Sequence, residues 1–350
     1  MSAPWLSVIM PTYNGATFLE SALASVLAQR ERDFEIVAVD DGSTDATLDI
    51  LRAYRDRLRM TIVEQEHGGN WVRNTNHGMS LASGQYLGWL HQDDLWGPDR
   101  LAKLKGLTSR WPDAPLILHP AWFIDAEGNR LGLWRGSLPR RTGRVPSRQV
   151  VSRLLIQDFV AASAPIFRAG ALADVGRMDE ELWSLADWDW WLRLAALGPP
   201  VYHPVPLSSF RLHLSSQTCI RIDRADDLVR QYGVLVTRHV DPWEQSAPDG
   251  RCVGRAAKFS YRLNVALMQF VARQPVGWLA LFGEFLRLGP AGWYVFFRDS
   301  QIVKRCLCRM RAGYMKAAAD RRPSPLRSRR SLPDDAPGIL GEPLVDVRRG

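Results

Sequence analysis

The first hundred residues repeat one pattern four times: a short apolar run rich in β-branched residues, a polar break, then apolar residues at helical spacing. Residues 6–10 (LSVIM) are broken by PTYNG, and Phe18, Ala22 and Val26 then mark one face of a helix over 16–29. Residues 34–39 run into DDGSTDAT, where Ser43, Thr44 or Asp45 can cap a helix that reaches about residue 59. A third run at 60–63 precedes a helix over 71–82, and a fourth at 86–90 ends in His91, Gln92, Asp93 and Asp94 before a helix that starts after Pro98. Strands and helices that alternate in this way are joined by right-handed crossovers into a mostly parallel sheet with helices on its faces. The fold class expected is therefore α/β. Ligands of such sheets bind beyond the carboxyl ends of the strands. Pro11, Thr12, Tyr13 and Asn14, the pair Asp40 and Asp41, and residues 91–94 all lie at those ends and can share one crevice.

From about residue 116 the runs shorten, with a hairpin expected near 123–133, an apolar segment at 165–167, a helix over 185–197 and a strand at 207–212. Beyond 216 the pattern is helical. Charge divides the chain: residues 251–350 hold 19 Lys and Arg against 7 Asp and Glu, whereas residues 1–250 hold 26 against 30. The four cysteines (219, 252, 306 and 308) form no CxxC pair and have no histidine cluster at metal spacing, so reduced thiols are expected rather than a zinc site or a disulfide framework. No basic stretch precedes the first apolar run and Pro11 ends it, so no export signal is expected.

No GxGxxG follows the first strand and no GxxxxGK[ST] occurs, which removes the dinucleotide fingerprint and the P-loop. Asp40 and Asp41 can accept hydrogen bonds from a base or a ribose, or can simply open the DGSTD turn and cap the next helix. Two adjacent carboxylates at Asp93 and Asp94 repel unless a cation offsets them. A hard divalent ion with a substrate diphosphate is one answer; a capping Asp94 beside a solvated Asp93 is the other.

Five segments, LSVIMPTYNGATFLESALASVLAQ, FEIVAVDDGSTDAT, NTNHGMSLASGQYLGWLHQDD, VGRMDEELWSLADWDWWLRLAALG and FRLHLSSQT, occur in the order and spacing of the inverting family 2 glycosyltransferases with the GT-A fold, including bacterial polysaccharide and cell-envelope enzymes, and the chain resembles them over about residues 5–218. The resemblance implies a nucleotide-sugar donor contacted by Pro11, Thr12, Tyr13, Asn14, Asp41, Arg73, His91, Gln92, Asp93 and Arg211. It implies a divalent Mn or Mg ion held by Asp93 with His91 and His213, and Asp187 as the base that deprotonates the acceptor. Two departures stand out: Val72 replaces a small residue before Arg73, and His91 replaces the first acid of the metal motif. In LADWDWWLRL, Asp187 and Asp189 fall off the apolar face, and Asp189 reads as a first-turn acid that complements the helix dipole. The implied activity is sugar transfer with inversion to a glycan or lipid-linked glycan. The alternatives are a catalytically silent nucleotide-binding scaffold, to which His91 points, and a polyprenyl-phosphate sugar transferase.

The domains expected are a catalytic unit over 1–218 (nucleotide half 1–97, acceptor half 98–218), a helical basic region over 219–319 and a disordered tail over 320–350. Residues 275–297 are apolar and aromatic, but Glu284 and Arg287 interrupt them and Gly289-Pro290 breaks them, so two short amphipathic helices fit better than a span. With the Arg and Lys that follow, they suit peripheral contact with an anionic membrane from the cytoplasmic side. No nucleic-acid motif accompanies the positive charge, so no nucleic-acid partner is expected.

Overall fold

The computed structural model of the chain describes residues 3–213 and 225–307. The first four runs form β1 (Leu6–Thr12), β2 (Phe34–Asp40), β3 (Met60–Glu64) and β4 (Tyr86–Trp89), joined by α1 (Ala16–Leu27), α2 (Thr47–Arg55) and α3 (Trp71–Leu81). These strands pair parallel, with β1 between β2 and β4, so their carboxyl ends line up and Thr12 sits opposite Asp40. After β5 (Leu95–Trp96) and α4 (Arg100–Arg110) come β6 (Leu116–Leu118), β7 (Ala121–Ile124), β8 (Arg130–Trp134), β9 (Gly143–Arg144), α5 (Ser147–Leu154) and β10 (Ile166–Arg168). A single turn α6 (Leu172–Val175), then α7 (Ala186–Ala196), β11 (Val201–Tyr202) and β12 (Ser208–Arg211) follow. The central sheet runs β3-β2-β1-β4-β10-β6-β11-β9 and is mostly parallel, as expected; β10 is antiparallel to both of its neighbours.

A second sheet runs β5-β12-β7-β8. The hairpin expected near 123–133 is its β7–β8 pair, and the strand expected at 207–212 is β12. Only β5, two residues long, has no counterpart in the sequence reading, because no local periodicity marks so short a strand. A second difference lies at α2, which starts at Thr47, whose N–H the candidate Asp45 takes on its carboxylate at 3.0 Å, and stops at Arg55. Ser43, a capping candidate, is spent on Asp40 instead, through both its backbone N–H and its hydroxyl.

Alternation along the strands splits the core into two layers. Leu6, Val8, Met10, Ile36 and Ala38 face α1, α2 and α4, whereas Ile9, Leu87, Trp89, Leu116 and Phe167 face α5 and α7. The helices beyond residue 225 join the second layer: Trp188 of α7 meets Tyr232 and Tyr261 edge-on, and Val253, Ala256 and Phe296 are buried in the same cluster. The expected division at 218/219 therefore does not divide the core, and the residues on either side of it, 214–224, lie outside those described, as does the expected tail over 320–350. Among the described residues no helix is long and apolar enough to cross a membrane.

Gly15 is where the first loop is most tightly specified. A Cβ there would lie 2.2 Å from Gln92 Oε1, which accepts the Tyr13 N–H at 2.9 Å while Gln92 Nε2 donates to the Tyr13 carbonyl at 3.0 Å. Gly15→Ala should displace that amide and lower stability by about 1–2 kcal/mol, the net worth of two such bonds, read as a reduced melting temperature.

Candidate active site

The acid pair at the end of β2 divides its work. Asp40 accepts from the Thr12 hydroxyl at 2.9 Å and from Ser43 N–H at 2.8 Å, so it closes the turn. Asp41 points the other way, where Gly68 N–H (3.0 Å), Gly69 N–H (2.9 Å) and the Gln65 amide (3.4 Å) donate to its carboxylate. Burial alone would raise the pKa of this 2%-exposed group. The backbone N–H groups, with help from Gln65 and Asn74, outweigh that and hold it below the usual carboxylate range. His67 bonds the Asp41 carbonyl through Nδ1 at 3.0 Å, and the Tyr13 ring stacks on His67 with centroids 4.1 Å apart. A fixed anion beside flat aromatic faces suits the N–H edge of a heterocyclic base.

Of the four residues in the first loop, Pro11 and Thr12 are buried inside β1, and Tyr13 and Asn14 stand at its open end. Asn14, at φ 45°, takes the Thr44 N–H on its side-chain oxygen at 2.8 Å. Gln92 is occupied by Tyr13, so its role is to tie the loop to the end of β4. Arg73 is exposed on α3 and donates from Nε to Glu180 at 3.3 Å.

His91, Asp93 and Asp94 each offer a ligand atom, all within 4.8 Å of one another. Asp94 is fully buried and accepts from the Ser163 hydroxyl at 2.5 Å and the Arg211 N–H at 3.0 Å. Burial, then the charge of Asp93, pushes its pKa well above the carboxylate range. Burial lowers that of His91, so its ring is held neutral, and its buried Nε2 has no partner among the described residues. Two crowded carboxylates and an orphaned imidazole nitrogen are the donor set a borderline divalent cation takes. The residues present fit such an ion. His213 Nε2 lies 2.8 Å from Asp93 Oδ2, so it meets the cluster through that acid. Arg211 is placed differently from its implied role. Its Nε donates to the Asp93 carbonyl and its Nη1 to the carbonyls of Asp125 and Ala126, and its guanidinium lies 4.8 Å from the Phe18 ring centroid, so it braces the loop rather than projecting those donors toward a ligand.

Asp187 opens α7, where its carboxylate accepts its neighbour Trp188's N–H at 2.9 Å. Burial raises its pKa to about 6 against that hydrogen bond. Asp158, on the loop after α5, was not singled out by sequence. Its pKa is pushed well above the carboxylate range by burial and then by the charge of Asp187. The Trp188 indole binds the Leu154 carbonyl at 2.7 Å and so ties α7 to the end of α5 just before Asp158. Asp189 is structural, as expected, though by a different device. It is buried under Arg193, Arg238 and His239, which outweigh burial and hold its pKa at about 2.

Two chains of contact lead outward from the cation cluster, one to Asp41 and one to the segment that precedes Asp187. Asp41 meets His67, His67 stacks on Tyr13, and Tyr13 is bonded to Gln92 next to the cation cluster. On the other side the His91 ring lies 5.3 Å from Trp71, edge-on, and the Trp71 indole donates to the Trp183 carbonyl at 2.6 Å, four residues before Asp187. Trp71 and Asn74 are thus site residues that sequence reasoning left without a role.

A family model described as Glycosyl transferase family 2 matches residues 7–164. A PGL/p-HBAD biosynthesis glycosyltransferase of Mycobacterium tuberculosis (strain ATCC 25177 / H37Ra) is 30% identical over 195 residues, which cover 55% of this chain and 70% of the relative. An uncharacterized glycosyltransferase of Rickettsia felis is 26% identical over 60% of this chain, which spans only 34% of that relative's length. Among solved structures, S. aureus TarS 1-349 superposes with a TM-score of 0.58 at 18% identity, covering 88% of this chain and 87% of that one. Mannosyltransferase PcManGT from Pyrobaculum calidifontis, solved with GDP-Man and Mn²⁺, gives 0.52 at 18% identity over 90% and 89%. At those identities the structures speak for the fold.

Proposed function

Because the chain belongs to glycosyltransferase family 2, we propose that it transfers a sugar from a nucleotide-sugar donor to a hydroxyl of a glycan or lipid-linked glycan, with inversion at the anomeric carbon. The observation that carries this reading is the linked placement of three groups: the hydrogen-bonded Asp41 carboxylate, the His91, Asp93 and Asp94 cluster, and the half-buried Asp187. The structural neighbours solved with UDP-GlcNAc, or with GDP-Man and Mn²⁺, support a donor of this class.

Asp41 would accept from the base, with Tyr13 and His67 flanking it. His91, Asp93 and Asp94 would hold a Mn or Mg ion whose charge, when bound, offsets the negative charge that grows on the departing diphosphate. Asp187 takes the proton of the acceptor hydroxyl as its oxygen forms a bond to the anomeric carbon; the bond from that carbon to the diphosphate oxygen breaks, and the diphosphate leaves with the electron pair. One displacement inverts the configuration.

Asp187 must be ionised to act, and its carboxyl is raised to about 6. Turnover should therefore rise with pH through about 6 and then level, as read from initial rates at saturating donor. The test of the whole reading is release of nucleoside diphosphate from a panel of nucleotide sugars with Mn²⁺. Binding of nucleotide without any metal-dependent release would favour the silent scaffold. Full transfer by Asp187→Asn to a polyprenyl phosphate would favour an acceptor that needs no base.

A further inference from the structure

The helix Gly250–Val271 turns back through 272–277 into the helix Trp278–Ser300, and the bend is unusually apolar on its outside. Leu279 is 89% exposed, Phe270 62%, Val271 61%, Phe282 59% and Leu286 52%, and the Phe270 and Trp278 rings meet edge-on at the tip with centroids 5.9 Å apart. A helix turns 100° per residue, so Leu279, Phe282 and Leu286 form one stripe and Leu281, Phe285 and Leu288 the opposite one. The second stripe packs on the core, with Phe285 against Phe259 at 5.7 Å. Among the described residues the first stripe packs on nothing that would bury it. Gly289, at φ 66°, and Pro290 interrupt the helix just after this stripe.

The surrounding charge selects an occupant. Residues 251–307 carry nine Lys and Arg and two acids. Both acids are already paired, Glu284 with Arg262 and Asp299 with Arg298. Arg273 and Arg287 are exposed within the bend and the helix that leaves it, and Lys304 is exposed beyond that helix. A second copy docked tip to tip would bring like charges together, whereas anionic headgroups would meet the same cations favourably while the stripe enters the acyl boundary.

We propose that the helical bend over 270–286 is a membrane-docking surface that places Leu279, Phe282 and Leu286 among the lipid chains of an anionic bilayer. It builds on the transfer reading by naming the surface from which a lipid-linked acceptor would be reached. Binding is measured without a donor, so failure here leaves that reading standing.

The experiment is co-sedimentation of the full chain with phosphatidylcholine vesicles with or without about 30% phosphatidylglycerol. The wild type is expected to partition onto the anionic vesicles more strongly than onto neutral ones. Leu279→Glu combined with Phe282→Glu should lower that partition by about tenfold or more, with an unchanged melting temperature because both side chains are exposed. Leu279→Ser alone should lower it in the same direction and serves if the double variant does not fold. A wild type that stays in the supernatant overturns the proposal, as does a foldable variant that sediments as well as wild type, which would assign binding to basic charge elsewhere. A wild-type dimer in light scattering that the double variant converts to monomer, with no vesicle binding, would overturn it in favour of a second copy.

Discussion

Asp187→Asn is expected to lower the rate of transfer to a hydroxyl acceptor by about 10²–10⁴-fold, the usual worth of a positioned general base, with donor affinity unchanged. The amide keeps the shape of the carboxylate and loses only its ability to take a proton. Stability supplies a second readout with the opposite sign. The folded-state pKa of Asp187 is raised by burial to about 6, so the stability contributed by its protonated form is present below the ordinary carboxylate pKa and is lost as pH rises through about 6. The variant should therefore melt higher than wild type at pH 8 and no higher at pH 4. An acid that merely complemented the helix dipole would give the reverse at pH 8. Single-turnover rates and melting curves at the two pH values measure both effects.

Asp93→Ala should cost about a thousandfold in turnover, the order expected when several kcal/mol of charge stabilisation on a leaving diphosphate is removed. Unlike Asp187→Asn, it should also weaken nucleoside diphosphate binding, and only when Mn²⁺ is present. The variant also removes the contact of His213, whose Nε2 lies 2.8 Å from Asp93 Oδ2. Asp93→Asn is therefore the control that keeps a partner for the ring and still removes the charge. Calorimetric titration of nucleoside diphosphate with and without Mn²⁺ reads the difference.

The first half of this fold was legible because each of its elements is locally encoded. β1, β2 and β3 are continuous apolar runs, and Pro, Gly and Asp mark where each ends. The strand-end loops could be named for the same reason. What was not legible was the assembly of the second sheet: β5 is two residues long, and its partner β12 arrives more than a hundred residues later, so only tertiary pairing joins them. The site shows the same division. Asp41 and Asp93 stand out as adjacent acids at strand ends, but sequence could not say that Asp40 would close a turn while its neighbour faces the crevice. Nor could it say that Arg211, a plausible diphosphate contact, would be spent on three backbone carbonyls, because those carbonyls come from residues 93, 125 and 126. Asp158 gave no signal at all. It has no acidic neighbour in sequence, and its importance comes from α7 docking on the end of α5 through the Trp188–Leu154 bond.

The central claim is that one donor molecule is held by Asp41 at its base and by the His91, Asp93 and Asp94 cluster at its diphosphate, with Asp187 facing the sugar. A crystal structure with nucleoside diphosphate and Mn²⁺, with anomalous data collected at the manganese edge, tests it most directly. The expected result is a manganese peak that bridges Asp93 and the diphosphate oxygens, with the base lying against the Asp41 carboxylate. A peak bound elsewhere, or a nucleotide whose base contacts neither Asp41 nor Tyr13, would contradict the account.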